Sequence, residues 1–226
     1  MVSFVDIFKQ IAEWGFEYIV NNYFNWEVIK KFFWGKKIAV IGPTACGKDS
    51  LIARLQGKPI PKQHLNTNAP ENIEEYNLKY KIDKDNFIDL MAKKSINVGG
   101  EEPDREKYWY EACKDADIIF YMLDSSKFTS SKNNDAAIYR YKNDLRWINI
   151  FKHRFKNNVK IAIILNKIDL AIQNNEINLP YSMLDEIARN EINHYSDYVC
   201  GIFLLSLTDD NLFQKFFPDI LSKVAK

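Results

Sequence analysis

The chain has 226 residues and a near-balanced charge, 31 basic against 30 acidic side chains. That balance argues against the broad basic field a nucleic-acid backbone demands, so no nucleic-acid partner is expected. Cys46, Cys113 and Cys200 are far apart and odd in number, which argues against a disulfide framework or a CxxC zinc site and points to a reducing, cytoplasmic compartment.

Residues 1–34 form the first unit. At about 100° per residue, Asp6, Lys9, Gln10, Glu13 and Glu17 share one arc, while Phe4, Ile7, Phe8, Ile11, Trp14, Tyr18 and Ile19 share the other. This pattern predicts an amphipathic helix, broken by Asn21, Asn22 and Asn25 and followed by a second short helix over 26–34. Two readings stay open. The apolar face packs on the following domain or on a protein partner, or it lies on a membrane surface helped by Lys30, Lys31, Lys36 and Lys37. The acidic polar face weighs against anionic lipid. No uncharged apolar run is long enough to span a bilayer, and the early Asp6 does not suit a signal peptide.

Residues 35–226 read as one α/β domain. An apolar strand over 36–42 runs into Gly42-Pro43-Thr44-Ala45-Cys46-Gly47-Lys48, and a helix follows over 48–55. Strand, glycine loop, lysine and helix together grip a polyphosphate: backbone N–H groups point inward and the helix N-terminus adds positive potential. The spacing is GxxxxGK, the Walker A pattern, but Asp49 stands where a Mg²⁺-binding hydroxyl is usual. The expected phosphate-binding set is Gly42, Thr44, Ala45, Cys46, Gly47, Lys48, Asp49 and Ser50. Cys46 reads first as a small packing residue.

A polar, proline-dotted loop covers 56–72. Thr67 within it is either a hydroxyl for Mg²⁺ and a γ-phosphate or a solvated loop threonine. Residues 73–82 and 87–97 suit a hairpin, and Asn97-Val98-Gly99-Gly100-Glu101 leads into a helical stretch ending near Lys114. Residues 117–123 and 159–165 are nearly all apolar, as buried parallel strands are. Between them a helix over 134–156 carries the stripe Ile138, Tyr139, Tyr141, Leu145, Trp147, Ile148 and Phe151. The basic run Lys152, His153, Arg154, Lys156 and Lys160 reads as its solvated end. A helix over 182–194, a strand over 198–205 and a helix over 210–224 complete the alternation, with Asp209-Asp210 suited to an N-cap. Alternating strands and helices predict a parallel sheet covered on both faces, a three-layer sandwich.

Asn166-Lys167-Ile168-Asp169 matches NKxD at the carboxyl end of a buried strand, where open α/β sheets place ligands. A carboxylate there accepts from both the ring N–H and the amino group of guanine, a donor pair that adenine lacks. Alone the four letters are a weak signal. At a strand end, downstream of a Walker A loop, they are a strong one.

On these residues the chain resembles the small GTPases, most closely the Arf-like branch. GPTACGKD is similar to that branch's GLDAAGKT, and NVGGEEPDREKYW to its DVGGQ, arginine and tryptophan run. LSLTDDNLFQKF is similar to the last base-contacting loop and final helix. The N-terminal helix also has a counterpart there, without the lipidated glycine. The resemblance implies a six-stranded, mostly parallel sheet, GDP/GTP exchange, Mg²⁺, slow hydrolysis and a protein effector or regulator. It places Gly100 on the γ-phosphate, Asn166, Lys167 and Asp169 on guanine, and Ser206 and Leu207 bracing the base.

Three positions depart from the pattern: Asp49 replaces the metal-binding hydroxyl, Asn97 an acidic residue, and Glu101 the glutamine that orients the attacking water. Asp49 and Asn97 together keep one negative charge beside a metal, so either Asp49 becomes an inner-sphere Mg²⁺ ligand that Asn97 hydrogen-bonds, or binding depends little on Mg²⁺. Glu101 would orient water but also repel a γ-phosphate, so hydrolysis is expected at or below the order of 10⁻⁴ s⁻¹. The alternative is a pseudo-GTPase scaffold that does not hydrolyse nucleotide.

Overall fold

Strand β5 (Ile118–Asp124) sits at the centre of the fold, every residue of it buried. Its side chains alternate between two cores, as a period of two requires. Ile118, Phe120 and Met122 enter one core, and Ile119, Tyr121 and Leu123 the other. Strands β1 (Lys36–Ile41) and β6 (Lys160–Asn166) flank it and divide their residues in the same way. The computed structural model describes residues 36–56, 58–61, 71–73, 76–81, 87–97, 100, 103, 105–129, 134–173 and 181–225; between 71 and 97 the description is of the backbone. The N-terminal segment 1–34, Thr67 and Glu101 lie outside the described residues.

Among the described residues the sheet has seven strands: β1, β2 (Glu71–Ile73), β3 (Tyr76–Lys81), β4 (Phe87–Asn97), β5, β6 and β7 (Val199–Leu204). The order is β2-β4-β1-β5-β6-β7, with β3 also paired to β4. The pairs β4–β1, β1–β5, β5–β6 and β6–β7 are parallel, while β2 and β3 run antiparallel to β4. The expected hairpin is present, with Lys81 opposite Phe87. Among the described residues there are seven strands where six are expected, because two short strands share the edge: β3 pairs the first part of β4, and β2 pairs its end from Ser95 to Asn97.

Helices cover both faces. On one, α1 (Lys48–Leu55) supplies Leu51, Ile52 and Leu55 to the core, and the final helix supplies Phe213, Phe217, Ile220, Leu221 and Val224. On the other lie α2 (Tyr110–Cys113), preceded by a π-helical turn over Arg105–Trp109, then α3 (Ser126–Thr129) and α4 (Asn134–Phe151). The chain continues through α5 (Ile168–Gln173), α6 (Tyr181–Glu191), α7 (Tyr195–Tyr198) and α8 (Asp210–Val224). Among the described residues no helix is long and apolar enough to cross a membrane.

The second core is aromatic. Trp109 meets Tyr121 and Trp147 edge-on, with centroids 6.2 and 5.7 Å apart, and Tyr121 stacks on Tyr141 at 6.1 Å. Two expectations for this region are corrected. Tyr139 belongs to the outer face of α4, 65% exposed, because it falls on the opposite side of the helix from Tyr141, Leu145 and Ile148. Lys152 is not part of a solvated helix end. It is buried, donates to the Asn193 carbonyl and lies 4.8 Å from the Tyr198 ring centre, and burial lowers its pKa. Its neighbour Lys156 pairs with Asp117 at 2.9 Å.

Candidate nucleotide-binding site

The carboxyl ends of β1, β6 and β7 meet in one place, and the loops that leave them build the site. After β1 the chain turns through Ala45 in the left-handed region, φ 60°, and Gly47 at φ 103°. Gly47 precedes α1, and no side-chain hydrogen bond caps that helix. The N-terminal end of the helix, where the backbone carries positive potential, thus meets the loop without a capping side chain at Gly47. Gly47 must lack a Cβ for a second reason: one built there would lie 2.3 Å from Asn166 Nδ2. Lys48 is buried and curls back over the loop, donating to the carbonyls of Gly42 at 3.1 Å and Pro43 at 2.9 Å. Cys46 is fully buried, and burial raises its thiol pKa, which fits a packing residue.

The NKxD segment is physically tied to this loop. Asn166, at the end of β6, donates from Nδ2 to the Cys46 carbonyl at 2.9 Å. Its Oδ1 is buried and has no partner among the described residues. Lys167 adopts φ 66° and reaches Asp124 Oδ2 at 2.7 Å. Asp124, which ends β5, also accepts from the Ser126 N–H and hydroxyl at 3.1 and 2.6 Å.

Asp169 opens α5 with its carboxylate oriented at both oxygens. Ser206 Oγ donates to Oδ1 at 2.7 Å and Thr208 Oγ1 to Oδ2 at 3.2 Å. Ser206 Oγ in turn accepts the Asp209 N–H at 3.2 Å. As expected, Asp209 caps α8, accepting from the Leu212 N–H at 3.0 Å. Leu207 differs from the sequence expectation in one respect. Its side chain is buried in the core beneath the loop, so what it offers toward a ligand is backbone.

Gly100 lies against the phosphate loop. A Cβ there would come within 2.2 Å of Thr44 N and 2.4 Å of the Pro43 carbonyl carbon. Behind it is a buried carboxylate that the sequence reading missed. Asp144, fully buried on α4, accepts at Oδ1 from Arg105 Nη1 and Arg140 Nε, both at 2.8 Å, and at Oδ2 from the Tyr121 hydroxyl at 3.0 Å. Arg140 Nη2 also donates to the Gly100 carbonyl at 3.0 Å. A cavity of about 380 Å³ opens here between the phosphate loop and α4, lined in part by Thr44, Gly100, Asp124, Lys127 and Arg140.

Of the expected metal-binding residues, Asp49 lies half-buried in the first turn of α1, and Asn97 ends β4 opposite Val40 of β1; the Asn97 side chain is outside the description. Among the described residues no three His, Cys, Asp or Glu side chains cluster as a metal site would. Ser50 follows Asp49 on α1, half-buried. Sequence reasoning also passed over Asp124, Arg140 and Thr208. Asp124 carried a readable signal, a carboxylate closing the buried strand next to the one that ends in NKxD.

A doubly covered, largely parallel sheet, a glycine loop after its first strand and NKxD after β6 make up an α/β fold of the P-loop kind. No protein-family profile matches the chain. Among curated proteins it is similar to GTPase Der of a Nitratiruptor species, 29% identical over an alignment 142 residues long that covers 59% of this chain and 26% of that protein. Among solved structures it is similar to Methanosarcina barkeri Roco2 RocCORdC bound to GDP, with TM-score 0.50 and 22% identity over 84% of this chain and 49% of that one. The chain thus spans 26% of the length of the first and 49% of the second.

Proposed function

We propose that the chain binds guanine nucleotide and acts as a GDP/GTP switch with slow hydrolysis, read by a protein effector or regulator. One observation carries this reading: the Asn166–Cys46 hydrogen bond joins the phosphate loop to the segment bearing Asp169. A single ligand can then engage both. Asp169, held at both oxygens by Ser206 and Thr208, presents a fixed carboxylate to a purine edge carrying two donors. Lys48 and the open N-terminus of α1 supply positive potential for the phosphates.

Mg²⁺ belongs to the same proposal. The Asp49 carboxylate is the hard oxygen donor such an ion takes, and its place on α1 puts it beside the phosphate-binding N–H groups. When bound, the ion would neutralise phosphate charge, and Glu101 is the candidate for orienting water. The Arf-like pattern supports residues 1–34 as a docking segment for a protein or a membrane surface, in an otherwise cytoplasmic protein.

Titrations with fluorescent GDP and GTP, with and without Mg²⁺ and with ATP as competitor, test the reading. Guanine nucleotides should bind and ATP should compete poorly. Equal affinity for ATP overturns the base assignment. Binding without phosphate release over long incubation favours the pseudo-GTPase scaffold, the reading that the Asp49 and Glu101 departures support.

A further inference from the structure

Arg54 stands in the last turn of α1, the helix that begins at the phosphate loop, yet its guanidinium grips the loop at the far side of the site. Nε and Nη2 both donate to the Leu207 carbonyl, at 3.0 and 2.7 Å. Nη2 lies 2.5 Å from Asp210 Oδ1, and Cζ sits 4.9 Å from the Phe213 ring centre. Asp210 is 75% exposed, so that ion pair contributes little. The pair of hydrogen bonds to the carbonyl, made by a planar fork lying against an aromatic ring, is the stronger constraint.

We propose that Arg54 is a positioning residue that sets the preference of the site for a 6-oxo purine. The proposal rests on the guanine reading above. A trans peptide is planar, with its C=O and N–H directed oppositely. Holding the Leu207 carbonyl toward α1 therefore directs the Thr208 N–H to the other side of the chain. That peptide joins Leu207 to Thr208, and the hydroxyls of Thr208 and of Ser206 just before it hold Asp169.

The two halves of guanine recognition then separate. Asp169 accepts from the ring N–H and the 2-amino group. The backbone donor oriented by Arg54 meets the acceptor at position 6, and adenine, with an amino group there, leaves that donor unpaired. Because Arg54 is rooted in α1, the same side chain links the phosphate half of the site to the base half.

The test is competition of GDP, inosine diphosphate and ADP against fluorescent GDP, on the full chain and on R54A, R54K and D210N. Inosine diphosphate keeps the 6-oxo group and lacks the 2-amino group. R54A should bind GDP and inosine diphosphate more weakly and ADP unchanged, so the GDP-over-ADP preference shrinks about tenfold. The GDP-over-inosine ratio, read by Asp169, should hold. R54K should recover part of the lost preference, and D210N should keep all of it.

Equal weakening of all three nucleotides in R54A would show a structural brace and overturn the proposal. Should R54A fail to fold, R54K against the parent chain decides by the same ratios. A parent chain with no preference for GDP over ADP overturns the guanine reading itself, and this inference with it.

Discussion

Arg140 connects the most deeply buried charge in the described part of the protein to the glycine that faces the phosphate loop: its Nε meets Asp144 and its Nη2 the carbonyl of Gly100. Gly100 cannot leave Thr44 without breaking or carrying along that bond. The same chain of hydrogen bonds runs on into the aromatic core, since Asp144 also holds the Tyr121 hydroxyl.

This carboxylate should give the protein a distinctive pH response. Burial raises the Asp144 pKa above the ordinary aspartate value, although Arg140, Arg105 and Tyr121 pull it back. The sign follows from linkage: a group with a raised folded pKa takes up protons more readily in the native state, so its contribution grows as pH falls. Relative to D144N, the parent chain should gain stability as pH drops through the raised folded value, and the gain should be complete below the unfolded value. Urea denaturation of both chains across acidic pH measures this. A gap that moves the other way would show that the two guanidiniums outweigh burial. D144A, which leaves both arginines without their carboxylate, should lose about 3–5 kcal/mol.

Gly47→Ala strikes the loop and the base segment together. The new methyl needs a left-handed backbone at φ 103° and would overlap Asn166 Nδ2. The strain should cost about 1–3 kcal/mol. Nucleotide affinity should fall further than stability does, because the Asn166–Cys46 bond is displaced as well. Denaturation midpoints paired with fluorescent-nucleotide titrations separate the two effects.

Asp169→Asn keeps the size of the side chain and removes its charge. An amide offers one acceptor and one donor where the purine edge presents two donors. Guanine preference over adenine should drop about a hundredfold, from the loss of two charge-assisted hydrogen bonds. ADP affinity should change little, which competition binding reads directly.

The pair Asp49 and Asn97 is tested by exchanging the charge. Asp49→Ser alone should not improve the Mg²⁺ dependence of nucleotide release, because it takes away the negative charge at that place. Joined with Asn97→Asp it should strengthen the dependence. Tighter metal binding by the single variant than by the parent would refute the idea that the two positions compensate.

Much of the fold is legible in the amino-acid sequence. The helices expected over 48–55 and 210–224 match α1 and α8 at both ends, because a loop signal, an apolar period and a capping aspartate mark their limits. The place of Asp169 at the end of a buried strand is legible because the NKxD letters follow an apolar run, Ile161 to Leu165. Asp144 was not: a carboxylate in a helical stripe reads as solvated, and its partners Arg105 and Tyr121 lie 39 and 23 residues away. Arg54 was hidden for the same reason, its carbonyl partner being 153 residues downstream. The short helices α3, α5 and α7 span only four to six residues, too few for a periodic pattern to show.

The strict two-sided division of β5 has an evolutionary corollary. Its side chains can be exchanged one at a time for others of like volume, but a single inserted or deleted codon within Ile118–Asp124 would move every strand residue that follows it to the opposite lining. Placed ahead of Tyr121, it would turn that ring toward the α1 side, away from Asp144, and Asp124 would miss Lys167. Descendants of this chain should accumulate replacements in that strand while keeping its length fixed.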